Sequence, residues 1–252
     1  MAALTRRTLI KSGLVAVAGA SGIGAAARLA AEYGLLPPDY ATLYGAGETL
    51  TYASQRLLAP RGSLAREFTR SEISPVAPVN GPAPDNDTYL ALAENGFADW
   101  RLAIDGLVAR PLMLSLDDLK RFSPRRQITM HTCEEGWSFI AEWTGVPLSE
   151  VLQTARVNAE ARYVVFHPYD EWWDSLDMND ALHPQTLLAY GMNGRELSLD
   201  HGAPLRLRVP RQLGYKSVKF LSRITVTDTL AHIGRGLGSA SAEAGYAWYA
   251  GI

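Results

Sequence analysis

A single cysteine in 252 residues, Cys133, is the tightest constraint on how this chain can fold. It has no partner thiol, so no internal disulfide braces the structure and a hydrophobic core must hold it together. The length allows this, because roughly 220 residues remain even without the first thirty or so, enough to bury a substantial core as one domain.

The pattern of that core is one of short strands. Trp100 to Ile104 alternates and stops at Asp105-Gly106. Leu112 and Leu114 continue as extended chain, and Ser115-Leu-Asp-Asp118 is a capping-box start for a short helix to Arg121 or Phe122. Gln127 to His131, Arg162 to Phe166, Leu187 to Tyr190, Leu205 to Val209 and Val218 to Thr227 read as strands, with Asn193-Gly194 as a hairpin turn. Helices are expected at Leu148 to Ala155 and near Leu57 to Phe68. No internal repeat and no regular βαβ alternation appears. The class is α+β, with a mixed, mainly antiparallel sheet core and short helices.

The first residues read as an address. Thr5-Arg6-Arg7-Thr8-Leu9-Ile10-Lys11 precedes an apolar, Ala- and Gly-rich stretch from Leu14 to Ala27, and no acidic residue occurs before Glu32. This is a charged n-region, an apolar h-region and small residues suited to cleavage, and the paired arginines resemble a twin-arginine export signal. That route carries folded proteins, as a cofactor inserted before export requires. The expected organisation is a signal at 1–31, an extension with loops at 32–85, a main domain at 86–230 and a tail at 231–252. The 24 basic and 26 acidic residues give a formal charge of -2, and loss of Arg6, Arg7 and Lys11 makes it more negative. A nucleic-acid partner needs a basic footprint, so none is expected.

Cys133 lies in His131-Thr-Cys133-Glu134-Glu135-Gly136-Trp137, at the end of an expected strand. Three chemistries are open to it. As a nucleophile it needs a base, and His131 lies two residues away on the same face. As a redox thiol it needs a second cysteine. As a soft metal ligand it is deprotonated by the metal itself. The two carboxylates that follow raise the pKa of a free thiol and disfavour the nucleophile. None of the five histidines has zinc-ligand spacing to it, and no Cys-x-x-Cys-His motif for haem occurs. Downstream, His201-Gly-Ala-Pro-Leu-Arg206-Leu-Arg208 and Gly214-Tyr-Lys216-Ser217-Val218-Lys219 gather basic side chains around a glycine turn, a pattern suited to phosphate but, taken alone, better read as two strands with solvated basic residues.

These pieces occur together in one family. Ile104-Asp-Gly-Leu-Val108, Leu116-Asp-Asp-Leu119, Cys133-Glu-Glu-Gly-Trp137-Ser138, Trp143-Thr-Gly145-Val-Pro147, His183-Pro184, Gly202-Ala-Pro-Leu-Arg206 and Gly214-Tyr-Lys216-Ser-Val-Lys219 follow its order. The chain resembles the molybdopterin-binding domain of the sulfite oxidase superfamily, on the periplasmic branch that includes protein-methionine-sulfoxide reductase catalytic subunits. The resemblance implies a Mo-molybdopterin cofactor with Cys133 as molybdenum ligand and catalytic residue. It implies cofactor contacts at Asn86, Tyr89, His201, Arg206, Lys216, Ser217, Val218 and Lys219. It further implies oxygen-atom transfer on a sulfoxide-like substrate in the periplasm, with a membrane b-type cytochrome subunit as electron partner. Sulfite oxidases carry a basic stretch after the cysteine, where this chain has Glu134 and Glu135, which repel an anion. Asp170 and His167 are candidates for proton delivery. A sulfite dehydrogenase-like enzyme, a cysteine hydrolase built on Cys133 and His131, and a non-catalytic pterin-binding module are the rival readings.

Overall fold

The structure is a computed structural model that describes residues 46–59 and 62–252. The expected export signal therefore lies outside the described residues. The first element is helix α1 (Ala46–Leu58). The sequence pattern places a helix later, near Leu57 to Phe68. Instead the helix ends at Leu58. The chain after it runs extended beside the sheet, where the Phe68 amide donates to the Ile128 carbonyl at 2.8 Å. Helix α2 (Asp87–Glu94) follows, an element not expected from sequence, started by Asn86 whose side chain accepts the Tyr89 amide.

Two sheets make up the body. One has five strands in the order β2 (Leu112–Leu114), β1 (Leu102–Gly106), β10 (Leu221–Thr227), β5 (Tyr163–Pro168), β6 (Asp174–Asp177). Among the described residues its only parallel pair is β1 with β10. The other runs β3 (Arg125–Thr132), β4 (Ser138–Pro147), β7 (Leu187–Met192), β8 (Arg195–Glu196), with β9 (Arg206–Arg208) also against β7. All its pairs are antiparallel. This is the mixed, mainly antiparallel α+β architecture that the sequence pattern implies.

The local signals act as their chemistry requires. Ser115 caps helix α3 (Leu116–Lys120): its hydroxyl accepts the Asp118 amide, and the Asp118 carboxylate takes the Ser115 amide in return. Helix α4 (Leu148–Ala155) buries Leu148, Val151, Leu152 and Ala155, one face at helical spacing. Asn193 and Gly194 both have positive φ, 52° and 75°, as a two-residue type I′ hairpin between β7 and β8 demands.

The main core joins both sheets and α4, through residues such as Ile104, Val146, Val164, Leu188, Leu207 and Ile224. A second cluster unites Tyr52 of α1 with Tyr163 and Val165 of β5 and with Trp248 and Tyr249 near the C-terminus. It is reinforced by Arg56, whose guanidinium meets Asp177 and Asp180 and lies 4.0 Å from the Tyr249 ring centroid. The tail, which gave no clear signal in sequence, is thus a built part of the fold. It includes helix α6 (Ala240–Glu243) and an isolated bridge between Gln212 and Gly251. The short helix α5 (Met178–Ala181) connects β6 towards β7. Among the described residues no helix is long and apolar enough to cross a membrane.

Candidate active site

Strand β3 ends at Thr132, and Cys133 begins the turn into β4. The turn is tight: the Cys133 amide donates to the Trp137 carbonyl at 2.9 Å and the Gly136 amide returns to the Cys133 carbonyl at 3.2 Å. Cys133 is only 3% exposed, and its sulfur lies 3.4 Å from a carboxylate oxygen of Glu134. Burial pushes the thiol up to about 11, with the Glu134 charge adding to the effect and the Glu135 amide opposing it. Without a metal this thiol stays protonated at neutral pH. Among the described residues no hydrogen bond joins it to His131, whose Nδ1 is buried without a partner. Burial, with Arg208 and Arg206 nearby, holds His131 well below its usual range, so it is a neutral ring. It packs on Phe139 at 5.1 Å and Trp137 at 6.0 Å between centroids. The cysteine hydrolase reading lacks its nucleophile–base contact.

Next to this turn opens a cleft of about 640 Å³. Glu134 and Glu135 form part of its wall, Asn80 to Asp85 another, Asp170 to Trp172 a third, and Gly214, Tyr215, Ser217, Val218 and Lys219 a fourth. Arg206 also reaches it. Asp170 lines the cleft, its carboxyl raised by burial, and one oxygen accepts the Trp172 amide at 2.9 Å. His167 is not among the lining residues.

The inner wall is cationic and short of acids. Arg206 is 5% exposed and donates to the carbonyls of His201 and Ser217 at 2.9 and 3.0 Å. Arg208, 1% exposed, reaches the Ser217 hydroxyl, Thr129 and the Met130 carbonyl. Both guanidiniums sit over Trp143, 5.2 and 5.3 Å from its ring. Among the described residues neither has a carboxylate partner, and the Nε of each is buried without one. Burial lowers Arg206 to about 10, and burial plus the Arg206 charge lowers Arg208 to about 9. Two adjacent buried cations with free donors are costly in isolation and call for an anion. Lys219 lies beside them, lowered to about 8 by burial and by Arg206, and donates to the Asn80 carbonyl at 2.7 Å.

Glycines let the backbone come this close. A Cβ on Gly214 would stand 2.7 Å from His131 Nε2. Gly202 has φ +101° and its Cβ would meet Lys219 at 3.0 Å and Arg206 at 3.2 Å.

The structure thus brings Arg206, Ser217, Val218 and Lys219 together at one cleft, with Cys133 beside it. His201 lies behind, its carbonyl held by Arg206 and its Nδ1 2.8 Å from the Ser198 hydroxyl. Asn86 and Tyr89 do not line the cleft. Asn86 caps α2 and donates to the Tyr169 carbonyl, while Tyr89, fully buried, donates to the Ala203 carbonyl at 2.7 Å. Lys216 does not line it either, because its ammonium is buried against Asp174. Arg208 and Trp143 do not line the cleft either, but they pack behind Arg206, where Trp143 carries both guanidiniums. The signal for Arg208 was present, since residues 206 and 208 of one strand share a face.

The donor set fits an anionic pterin. Among the described residues no cluster of three or more His, Cys, Asp or Glu side chains can hold a metal. A metal at this place would find Cys133 as its one protein thiolate.

Comparison with known proteins agrees with this chemistry. Residues 89–232 match the family model for the oxidoreductase molybdopterin-binding domain. A protein of Azospira oryzae named as a protein-methionine-sulfoxide reductase subunit, YedZ1, is 34% identical over 73% of this chain and 70% of its own length. Protein-methionine-sulfoxide reductase catalytic subunits MsrP of Campylobacter jejuni and Xanthomonas campestris are 33% and 37% identical over 57% and 52% of this chain. The chain spans about half the length of these MsrP relatives, 54% and 46%. Among solved structures, the sulfane dehydrogenase SoxCD of Paracoccus pantotrophus aligns with a TM-score of 0.50 and 27% identity, over 57% of this chain and 39% of that one.

Proposed function

We propose a function from one premise: the chain belongs to the oxidoreductase molybdopterin-binding domain family. It is an enzyme that transfers an oxygen atom, reducing a sulfoxide-like substrate. The bound cofactor supplies two-electron oxygen-atom-transfer chemistry. The observation that carries the reading is the pair of buried guanidiniums, Arg206 and Arg208, with no acid to balance them among the described residues.

The chain's own residues hold and shape the site. Arg206 and Lys219, with Arg208 behind them, would neutralise a cofactor phosphate, and the Gly214 to Val218 backbone would offer it amide donors. Cys133 would hold the metal as a thiolate. His201 stands behind Arg206 and fixes its direction through a carbonyl. Asp170, its carboxyl raised by burial, lines the cleft and is better placed for proton delivery there than His167.

The mouth sets the charge of the substrate. Asp85, Glu134, Glu135, Asp170 and Glu171 line it, so it repels an anion such as sulfite and admits a neutral sulfoxide. Trp172, 56% exposed at the same wall, offers an apolar face for the groups on sulfur. This favours methionine sulfoxide, the substrate class in the names of the relatives, over sulfite.

Two electrons per turnover come from a partner subunit, which we take to be a membrane b-type cytochrome. The site of action is the periplasm, reached by the twin-arginine route through Thr5 to Lys11, with the catalytic domain at 86–230. The test is a dye-coupled assay on cofactor-loaded protein. Reduction of methionine sulfoxide, with sulfite oxidation at least about a hundredfold slower, supports the reading. Efficient sulfite turnover with no sulfoxide reduction contradicts it.

A further inference from the structure

We propose that Asp174, Ser241 and Trp248 are positioning residues of the cofactor site, acting through Lys216 on the turn that carries Gly214 to Lys219. The inference rests on the molybdopterin reading above and extends it to a segment that lies beyond the matched domain, which ends at residue 232.

The turn Gly214–Lys216 has two sides. Inside, Gly214 lies against His131, and the next residue, Ser217, gives its carbonyl to Arg206 and its hydroxyl to the Val209 amide. Outside, the C-terminal segment grips nearly every residue of the turn. The Leu213 amide donates to the Ala250 carbonyl at 2.9 Å. The Tyr215 hydroxyl donates to the Ala247 carbonyl at 2.6 Å, and its ring stands 5.3 Å from Tyr246. Lys216 is 1% exposed, its ammonium paired with Asp174 and 5.0 Å from the Trp248 ring centroid.

Asp174 is in turn fully committed. One oxygen takes the Lys216 ammonium and the Ser175 amide, and the other takes the Ser241 hydroxyl at 2.6 Å. The neighbouring Ser175 hydroxyl donates to the Gly238 carbonyl and accepts the Trp248 indole N–H at 2.8 Å. An apolar pair in place of the two charges is often neutral for stability, but here it would also leave the Ser175 amide without its acceptor. What the charged pair adds is direction: Lys216 is held at one point, by bonds of fixed geometry, and the turn with it. A shift of the turn displaces the Ser217 carbonyl and so the Arg206 guanidinium, which is how a residue outside the cleft changes what the cleft holds.

The experiment uses the full chain, expressed where the cofactor is made. Variants Ser241→Ala, Ser241→Thr, Trp248→Phe and the double Asp174→Leu/Lys216→Met are compared with the parent. Pterin release on dialysis is followed by fluorescence, the metal–thiolate absorption band by spectroscopy, and stability of the cofactor-free form by melting. Ser241→Ala is expected to release pterin about tenfold faster, the worth of one hydrogen bond to a charged group. Ser241→Thr restores retention, and Trp248→Phe loses pterin like Ser241→Ala. The double variant melts somewhat lower, having lost the acceptor of the Ser175 amide, and it keeps less pterin and shifts the band. Pterin retention and spectra equal to the parent in Ser241→Ala and in the double variant overturn the proposal, whatever happens to melting. A parent chain that carries no pterin at all sinks the molybdopterin reading itself, a result recognisable before any variant is made.

Discussion

Substituting Gly214 by alanine places a methyl carbon 2.7 Å from His131 Nε2, 3.0 Å from its Cε1 and 3.2 Å from the Thr132 carbonyl oxygen. Ordinary contact begins near 3.5 Å. Neither neighbour yields easily. Thr132 is the last residue of β3, and the His131 ring is packed among Trp137, Phe139 and Trp143. Gly214 is not in the left-handed region, so the cost is one of space alone. Overpacking of this kind costs about 1–3 kcal/mol. In a domain of this size that lowers the melting temperature by roughly 2–12 °C. The turn must also move away from His131, carrying Ser217 and Lys219, so cofactor content should fall by more than stability does. Melting of the cofactor-free form and pterin content per chain measure the two effects separately. Shrinking the ring supplies the missing room, so Gly214→Ala and His131→Ala should be non-additive, with coupling of about 1–2 kcal/mol in favour of the pair. A Gly214→Ala protein with unchanged melting and full pterin would refute the idea that this turn is held by close approach to His131.

Other expectations follow from the same charges. Arg208→Met removes a buried cation that no acid balances, so the cofactor-free protein should melt no lower than the parent while pterin content drops; a strong loss of stability would mean that the charge is compensated from within the protein. Arg56→Ala strips Asp177 and Asp180 of a buried partner, at about 3–5 kcal/mol. Melting should fall by roughly 6–20 °C, measured by calorimetry, with α1 becoming sensitive to protease. His183 is held at about 4 instead of 6.5, by burial and by Arg211, with Arg125 adding a little and the Ser63 carbonyl opposing. The unfolded chain therefore takes up this proton first, and stability falls as pH drops from about 6.5 towards 4. Denaturant titrations across that window should show the slope, and His183→Gln should flatten it.

Much of the framework was legible in the sequence because its signals are local. The Ser115–Asp118 box, the single apolar face of α4 and the Asn193-Gly194 turn each act over a few residues. Strand β4 was less visible, since Gly145 and Pro147 weaken a strand pattern. The structure shows why glycine is needed there: a Cβ on Gly145 would stand 2.2 Å from the Leu188 carbonyl oxygen, where the β4–β7 register shifts. Strand β6, Asp-Ser-Leu-Asp, has poor strand propensity and is explained by partners far along the chain, Lys216 for Asp174 and Arg56 for Asp177. The same holds at the site. Cys133 and the basic turn stand out as motifs, but the direction of Lys216, the role of Asn86 as a helix cap and the hidden hydroxyl of Tyr89 depend on contacts that spacing does not encode.

The central claim is that Cys133 supplies the protein's bond to molybdenum. X-ray absorption at the molybdenum edge, on the cofactor-loaded parent and on Cys133→Ser, tests it most directly. The account predicts a sulfur-rich metal environment in the parent and one sulfur neighbour fewer in the variant, with pterin still held by Arg206, Arg208 and Lys219. An unchanged sulfur count in Cys133→Ser, or a parent chain that binds no molybdenum, would contradict it.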